Sequence, residues 1–375
     1  MDSAAYLQEL VRFPSVSCTS NVDVTDRIEQ RLTQLGFETE RIDYSDARGV
    51  PKSNVVGKRG EGPGGFAYFA HSDVVPATDW SHSDAGPWEP VLTSDRFYAR
   101  GACDMKGSLA CMLAAAERYR DQELKHPIYV TVTADEEVGY GGAIQVAERS
   151  KLYREMVAGD ANGIIGEPTS LQVVYAHKGS VGMQATARGV AAHSSQAHGV
   201  NANLKMIPFL AEMKAIHDEV TGNADWEHPE FDPPGVSWNI GINDHTGAVN
   251  ITAPQSVCTV YFRTMPGLDS QPLVDRSRAA AERYGLEFIE TFTGQPMYAE
   301  PTSEFIQELL RISGESKAHS VCYGTDASAF VDLRKKAVYG PGSIEQAHTA
   351  DEWISLEQLQ AGTDAYSKLI QEWCL

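Results

Sequence analysis

Long apolar runs, paired cysteines and an excess of basic charge are all missing from this chain of 375 residues. No stretch approaches the roughly 20 consecutive apolar residues of a membrane helix, so no membrane partner is expected. The six cysteines, Cys18, Cys103, Cys111, Cys258, Cys322 and Cys374, include no CxxC pair. That spacing speaks against a disulfide framework and against an all-thiolate zinc site; any metal must be held by His, Asp and Glu. The segment Met1–Leu10 holds Asp2 and Glu9 and no basic residue, so it is not read as a secretory signal, and the cytoplasm is the expected location. Basic residues number 31 against 51 acidic ones, a net charge of −20. Such a surface repels phosphate backbones, and nucleic acid is not an expected partner.

Hydrophobic residues make up 42% of the chain, enough for an ordinary core, and the length favours two domains. Short apolar runs at 66–70, 128–133, 163–166 and 337–339 predict buried strands. Helical spacing predicts helices at 5–12, 22–35, 107–120, 143–149, 303–313 and 355–373. This alternation implies a mostly parallel α/β sheet. The texture changes near 177. A half-exposed strand at 180–188, a helix at 201–220 with Pro208 as its kink or start, strands at 236–242 and 256–263, a helix at 272–284 and a strand at 286–292 give a ferredoxin-like order. The expectation is therefore an α/β catalytic domain, 1–176 and 293–375, with an inserted α+β domain at 177–292.

Acids and histidines follow the buried runs repeatedly. His71-Ser72-Asp73 follows the first, Asp135-Glu136-Glu137 the second and Glu167 the third; a loop leading to His348 follows the last, and Asp104 stands just before a helix. Ligands of open α/β sheets bind beyond the carboxyl ends of the strands. On an extended chain residues i and i+2 share a face, so Asp73 can take a hydrogen bond from the His71 ring and fix its tautomer. An isolated HxD is more often a loop histidine beside a capping acid, and His82-Ser83-Asp84, which follows no apolar strand, is read that way. Glu136 and Glu137, if extended, face opposite ways; one can ligate a metal while the other moves a proton. Two histidines with several carboxylates suit zinc, with cobalt or manganese as substitutes. Five ligands exceed the needs of one open tetrahedral ion and fit a pair sharing a carboxylate.

The segments His71–Pro76, Gly101–Gly107, Thr133–Glu137, Ile165–Thr169 and Gly340–His348 resemble, in order, those of the acetylornithine deacetylase / succinyl-diaminopimelate desuccinylase family of co-catalytic zinc hydrolases. The resemblance implies that Asp104 bridges two Zn²⁺ ions, that His71 and Glu167 complete one site and Glu137 and His348 the other, and that Glu136 is the general base and acid. It also implies a cis peptide after Asp104. The inserted domain would be a lid and dimerisation domain. His193, in Gly189–Ser195, would reach the partner subunit's site, with Asn250, Arg263 and Thr325 at substrate-facing positions. A planar guanidinium such as that of Arg263 suits a substrate carboxylate.

Within the family, Gly166–Gln172 and Ala176–Gly179 read most like the acetylornithine branch. Cys103 and Tyr323–Ala327 depart from it. The expected activity is hydrolysis of the amide of an N-acyl amino acid, N-acetylornithine in arginine biosynthesis foremost. Succinyl-diaminopimelate desuccinylase, a general aminoacylase, a small metallocarboxypeptidase and an inactive binding protein stand as alternatives. A homodimer through the lid is the expected assembly.

Overall fold

The computed structural model describes residues 1–84 and 86–375. They divide into two units, the first comprising Met1–Ala176, Met297–His319 and Thr325–Leu375, the second His177–Pro296 and Ser320–Gly324. The inserted unit thus runs past the expected 292, because its last strand spans Glu287–Gly294. It also takes in the short 320–324 segment, where Cys322 Sγ lies 3.1 Å from the Asp232 carbonyl oxygen.

The first unit is built on a nine-stranded sheet. At its centre Phe66–His71 pairs in parallel with Ile128–Thr133 on one side and Asn162–Ile165 on the other, and Lys336–Val338 adds in parallel beyond Asn162–Ile165. Pro51–Arg59 and then Glu38–Ser45 extend the other edge antiparallel. Every residue of Phe66–His71 and Ile128–Thr133 is buried, which is why these strands read as unbroken apolar runs rather than alternating ones. The helix Lys106–Arg118 is buried continuously from Lys106 to Ala116. Its small residues allow close approach; a Cβ on Gly107 would sit 2.2 Å from the Ala102 carbonyl oxygen. The helix Leu356–Cys374 brings Tyr366 edge-on to Tyr68, ring centres 5.2 Å apart.

Several elements lie outside the sequence expectation. The edge strand Glu38–Ser45 buries only Ile42, too little apolar surface to give a periodic signal. The helix Lys151–Ala158 buries Tyr153 and Met156. A three-stranded sheet joins Val91–Leu92, Arg96–Tyr98 and Trp353–Ser355. All six cysteines are free. Among the described residues no helix is long and apolar enough to cross a membrane.

The second unit has the expected ferredoxin-like order. Its antiparallel sheet runs Trp238–Asn243, Gln255–Phe262, Ser180–Arg188, Glu287–Gly294. The helices Ala202–Val220 and Gln271–Arg283 complete it. Pro208 neither starts nor ends a helix; it lies inside Ala202–Val220.

Candidate metal centre and active site

Seven of the singled-out side chains, from five separate segments of the first unit, converge beyond the carboxyl ends of its central strands. His71 ends its strand, and its Nε2 lies 3.1 Å from Asp104 Oδ1 and 3.7 Å from Glu167 Oε1. His348 Nε2 lies 3.0 Å from Glu137 Oε2 and 3.5 Å from the other Asp104 oxygen, Oδ2. Asp104 therefore presents one oxygen to each histidine, the disposition a bridging carboxylate needs. Ligand atoms of His71, Asp104 and Glu137 lie within 4.8 Å of one another, as do those of His71, Glu136 and Glu167. The Asp104–Met105 peptide is cis.

Local structure explains the aim of these groups. Glu167 follows Gly166, where a Cβ would fall 2.4 Å from Ser108 Oγ and 2.5 Å from Tyr68 OH; only glycine lets the chain pass there. Glu136 and Glu137 are not extended. They lie in a single 3₁₀ turn, Glu136–Val138, entered through Asp135 in the left-handed conformation at φ 59°. That turn, rather than strand alternation, separates the two carboxylates. His348 is likewise left-handed, φ 62°. Non-glycine residues hold such backbone only where neighbours fix it, and they gather at functional sites.

The Asp73 role differs from expectation in one atom. His71 Nδ1 donates to the Asp73 backbone carbonyl at 2.9 Å, while the Asp73 carboxylate is 3.7 Å away. That carboxylate accepts instead from Ser17 Oγ at 2.7 Å and from the Glu136 backbone N–H at 3.2 Å. The ring is still fixed with Nε2 facing the acids, and Asp73 also holds the turn Glu136–Val138.

The electrostatics are those of a site suited to positive charge. Burial, and then the charge of Glu167, raises the Glu136 carboxyl well above its usual range. Burial and the charge of Asp104 do the same to Glu167, and raise Glu137. Burial would raise Asp104 too, but the hydrogen bond and charge of His71 hold it below its usual value. For His348 the Glu137 hydrogen bond is the main cause of a raised pKa. Glu167 Oε1 is buried and makes no hydrogen bond. Closely packed carboxylates with a buried, unsatisfied oxygen fit divalent cations, and the oxygen and imidazole donor set suits zinc, cobalt or manganese.

Several participants carried no sequence signal of their own. Asp326 is buried, accepts from Thr133 Oγ1 at 2.5 Å, and is raised to about 7 mainly by burial. Lys52 is buried and donates to Asp135 Oδ1 at 2.5 Å and to the Ser17 carbonyl at 2.7 Å; Tyr44 donates to the other Asp135 oxygen at 2.7 Å. These partners stand 35 to 91 residues apart, beyond any local pattern.

Four candidates remain, Thr325, His193, Asn250 and Arg263. Thr325 belongs to the first unit, is buried, and caps the turn Asp326–Ser328 by accepting from the Ala327 N–H at 3.1 Å. His193, Asn250 and Arg263 belong to the second unit. His193 is exposed, with Nδ1 2.8 Å from Ser195 Oγ, and the Asn250 carbonyl accepts from the Ser194 N–H at 2.9 Å. Arg263 sits 5.2 Å from the Tyr261 ring centre and donates to Ser180 Oγ at 3.5 Å.

Known proteins resemble this chain along most of its length. The model of peptidase family M20/M25/M40 matches residues 67–372. The chain is 30% identical to the acetylornithine deacetylase of Proteus mirabilis (strain HI4320), over 98% of this chain and 96% of that one. It is 31% identical to that of Myxococcus xanthus, over 99% and 97%. Among solved structures it is similar to the M20 family metallo-carboxypeptidase Sso-CP2 from Sulfolobus solfataricus, with TM-score 0.78, 17% identity and 99% of both chains covered. It is also similar to human carnosine dipeptidase 1, with TM-score 0.75, 16% identity, and 99% and 96% covered.

Proposed function

The chain belongs to peptidase family M20/M25/M40, whose members here hydrolyse amide bonds, and we propose that its substrate is an N-acyl amino acid, N-acetylornithine foremost. The observation that carries the chemistry is Asp104, with one carboxylate oxygen turned to His71 and the other to His348. The likeness to acetylornithine deacetylases along nearly the whole chain supports the substrate. Arginine biosynthesis in the cytoplasm is the setting that goes with that substrate.

The residues fit two divalent ions, zinc foremost: Asp104 between them, His71 and Glu167 around one, Glu137 and His348 around the other. Such a pair would supply Lewis acidity toward the scissile carbonyl and lower the pKa of water at the site. Glu136 takes the proton of the attacking water and returns it to the departing amine. Burial, and then the charges of Glu167 and Glu137, raise its carboxyl, which favours a group that takes up a proton and gives it back. Asp73 holds the Glu136 backbone and the His71 ring at once, so base and ligand keep a fixed relation.

His193 and Asn250 are proposed to meet the acyl oxygen as it gains charge, Arg263 the substrate carboxylate, and Thr325 the substrate side of the loop before Asp326. A homodimer through the second unit goes with this proposal. Supporting it are the exposed Leu204 and Ile207 on the outer face of Ala202–Val220, and Ile242 on the edge strand Trp238–Asn243. Unpaired strand edges and apolar patches are surfaces that proteins cover.

The test is amine release by zinc- and cobalt-loaded protein from N-acetylornithine, N-succinyl-diaminopimelate, N-acetylmethionine and a dipeptide. Preference for N-acetylornithine is expected. Preference for one of the others reassigns the substrate, and inactivity on all of them contradicts the proposal.

A further inference from the structure

One buried acid of the first unit that accepts four hydrogen bonds is none of the candidate ligands. Glu352 and Arg100 are each 1% exposed and pair at 2.9 Å, Oε2 to Nη1. The same Oε2 accepts from the Gly101 N–H at 2.8 Å. The other oxygen, Oε1, accepts from the Cys103 N–H at 2.8 Å and the Asp104 N–H at 2.9 Å. One carboxylate thus gathers three backbone N–H groups of the loop that ends on Asp104, and a guanidinium neutralises it. Convergent backbone N–H groups of this kind form an anion cradle. Here a side chain 248 residues away fills it.

Glu352 has a second link to the centre. It stands four residues after His348, and it leads into the strand Trp353–Ser355, which pairs with Arg96–Tyr98 ahead of the same loop. Segment 348–352 therefore meets loop 100–104 twice, by His348 at the Asp104 side chain and by Glu352 at the Asp104 backbone. We propose that Glu352 is the positioning residue of the metal centre, fixing the direction of the Asp104 carboxylate and its register with His348. The inference rests on the reading of Asp104 as a bridging ligand.

The chemistry explains why an acid is needed. All four partners are donors, and only an ionised carboxylate offers acceptors on both atoms with no hydrogen of its own. A glutamine would turn an NH₂ toward backbone N–H groups and leave Arg100 unneutralised. Groups that orient ligands in this way change metal affinity by about 10- to 100-fold when replaced.

The experiment titrates metal-stripped full-length protein with Co²⁺, reading equivalents bound and the visible absorption of the bound ion. Leu309→Ala, a cavity in the buried face of helix Glu304–Ser313, is the control for lost stability. Wild type is expected to take two equivalents, and Leu309→Ala to match it in affinity and spectrum. Glu352→Gln is expected to bind about 10- to 100-fold more weakly with an altered spectrum. Wild type that binds no cobalt overturns the metal-centre reading itself. Wild type that binds two equivalents, with Glu352→Gln matching it in affinity and spectrum, overturns the role of Glu352 alone. If Glu352→Gln does not fold, Glu352→Asp keeps the charge for Arg100 but shortens the reach. It is expected to show the same weakening, and wild-type cobalt binding by it overturns the proposal.

Discussion

The acids at the rim of the central sheet and the candidate residues of the second unit are held in opposite ways. His71, Asp104 and Glu167 are buried, and their surroundings are tied together by groups far apart in the chain: Ser17 to Asp73, Lys52 to Asp135, Glu352 to Asp104. His193 is exposed, and its hydrogen bond goes to Ser195, two residues on. Groups of the first kind are set before a ligand arrives, which is how a site keeps reorganisation out of the chemical step. Under the proposed function, groups of the second kind meet their working partner only when substrate binds. The difference teaches that the centre and the substrate contacts should fail differently when altered.

The largest effect should come from Asp104→Ala, which is expected to release both ions and reduce turnover by more than about 10⁴-fold, beyond the loss of a proton shuttle alone. Metal analysis still finding two ions per chain would break the bridging assignment. Glu136→Gln should lower turnover by about 10²- to 10⁴-fold with both ions retained; near-normal turnover would remove it as base. His193→Ala should cost about 10²- to 10³-fold in kcat, as for a lost oxyanion donor, with unchanged metal content and stability. An unchanged rate would take His193 out of the comparison.

Asp135→Asn attacks the rigid side of the comparison. It leaves the Lys52 ammonium buried without its acid, and urea unfolding should show a loss of about 3–5 kcal/mol. A smaller loss than His193→Ala produces would invert the contrast.

The smallest effect concerns Lys336, at the start of the strand Lys336–Val338 and lowered from 10.5 to about 8 by burial. Between those values the native chain holds fewer protons than the unfolded one, so stability rises with pH through that window. Below it the buried charge costs at most about 3 kcal/mol. Lys336→Met should therefore be more stable than wild type at pH 7, and the gap should close by pH 10.5. A gap independent of pH would show that burial of Lys336 carries no such cost.

Much of the centre was legible because its ligands close strands whose apolar runs stand out, as at Phe66–His71 and Ile128–Thr133. The conformation around them was not. Glu136 and Glu137 occupy a 3₁₀ turn because Asp135 is held left-handed by Lys52 and Tyr44, a cause lying far upstream. The expectation that the Asp73 side chain holds His71 used strand alternation two residues past the end of the strand, where the backbone carbonyl takes that bond. Glu352 had no pattern to reveal it, since its partners are N–H groups that every residue but proline carries.

The most direct test of the central claim is anomalous diffraction from zinc-loaded crystals. The account predicts two peaks flanking Asp104, one against His71 and Glu167 and the other against Glu137 and His348. A single peak, or zinc bound only away from these five residues, would contradict it.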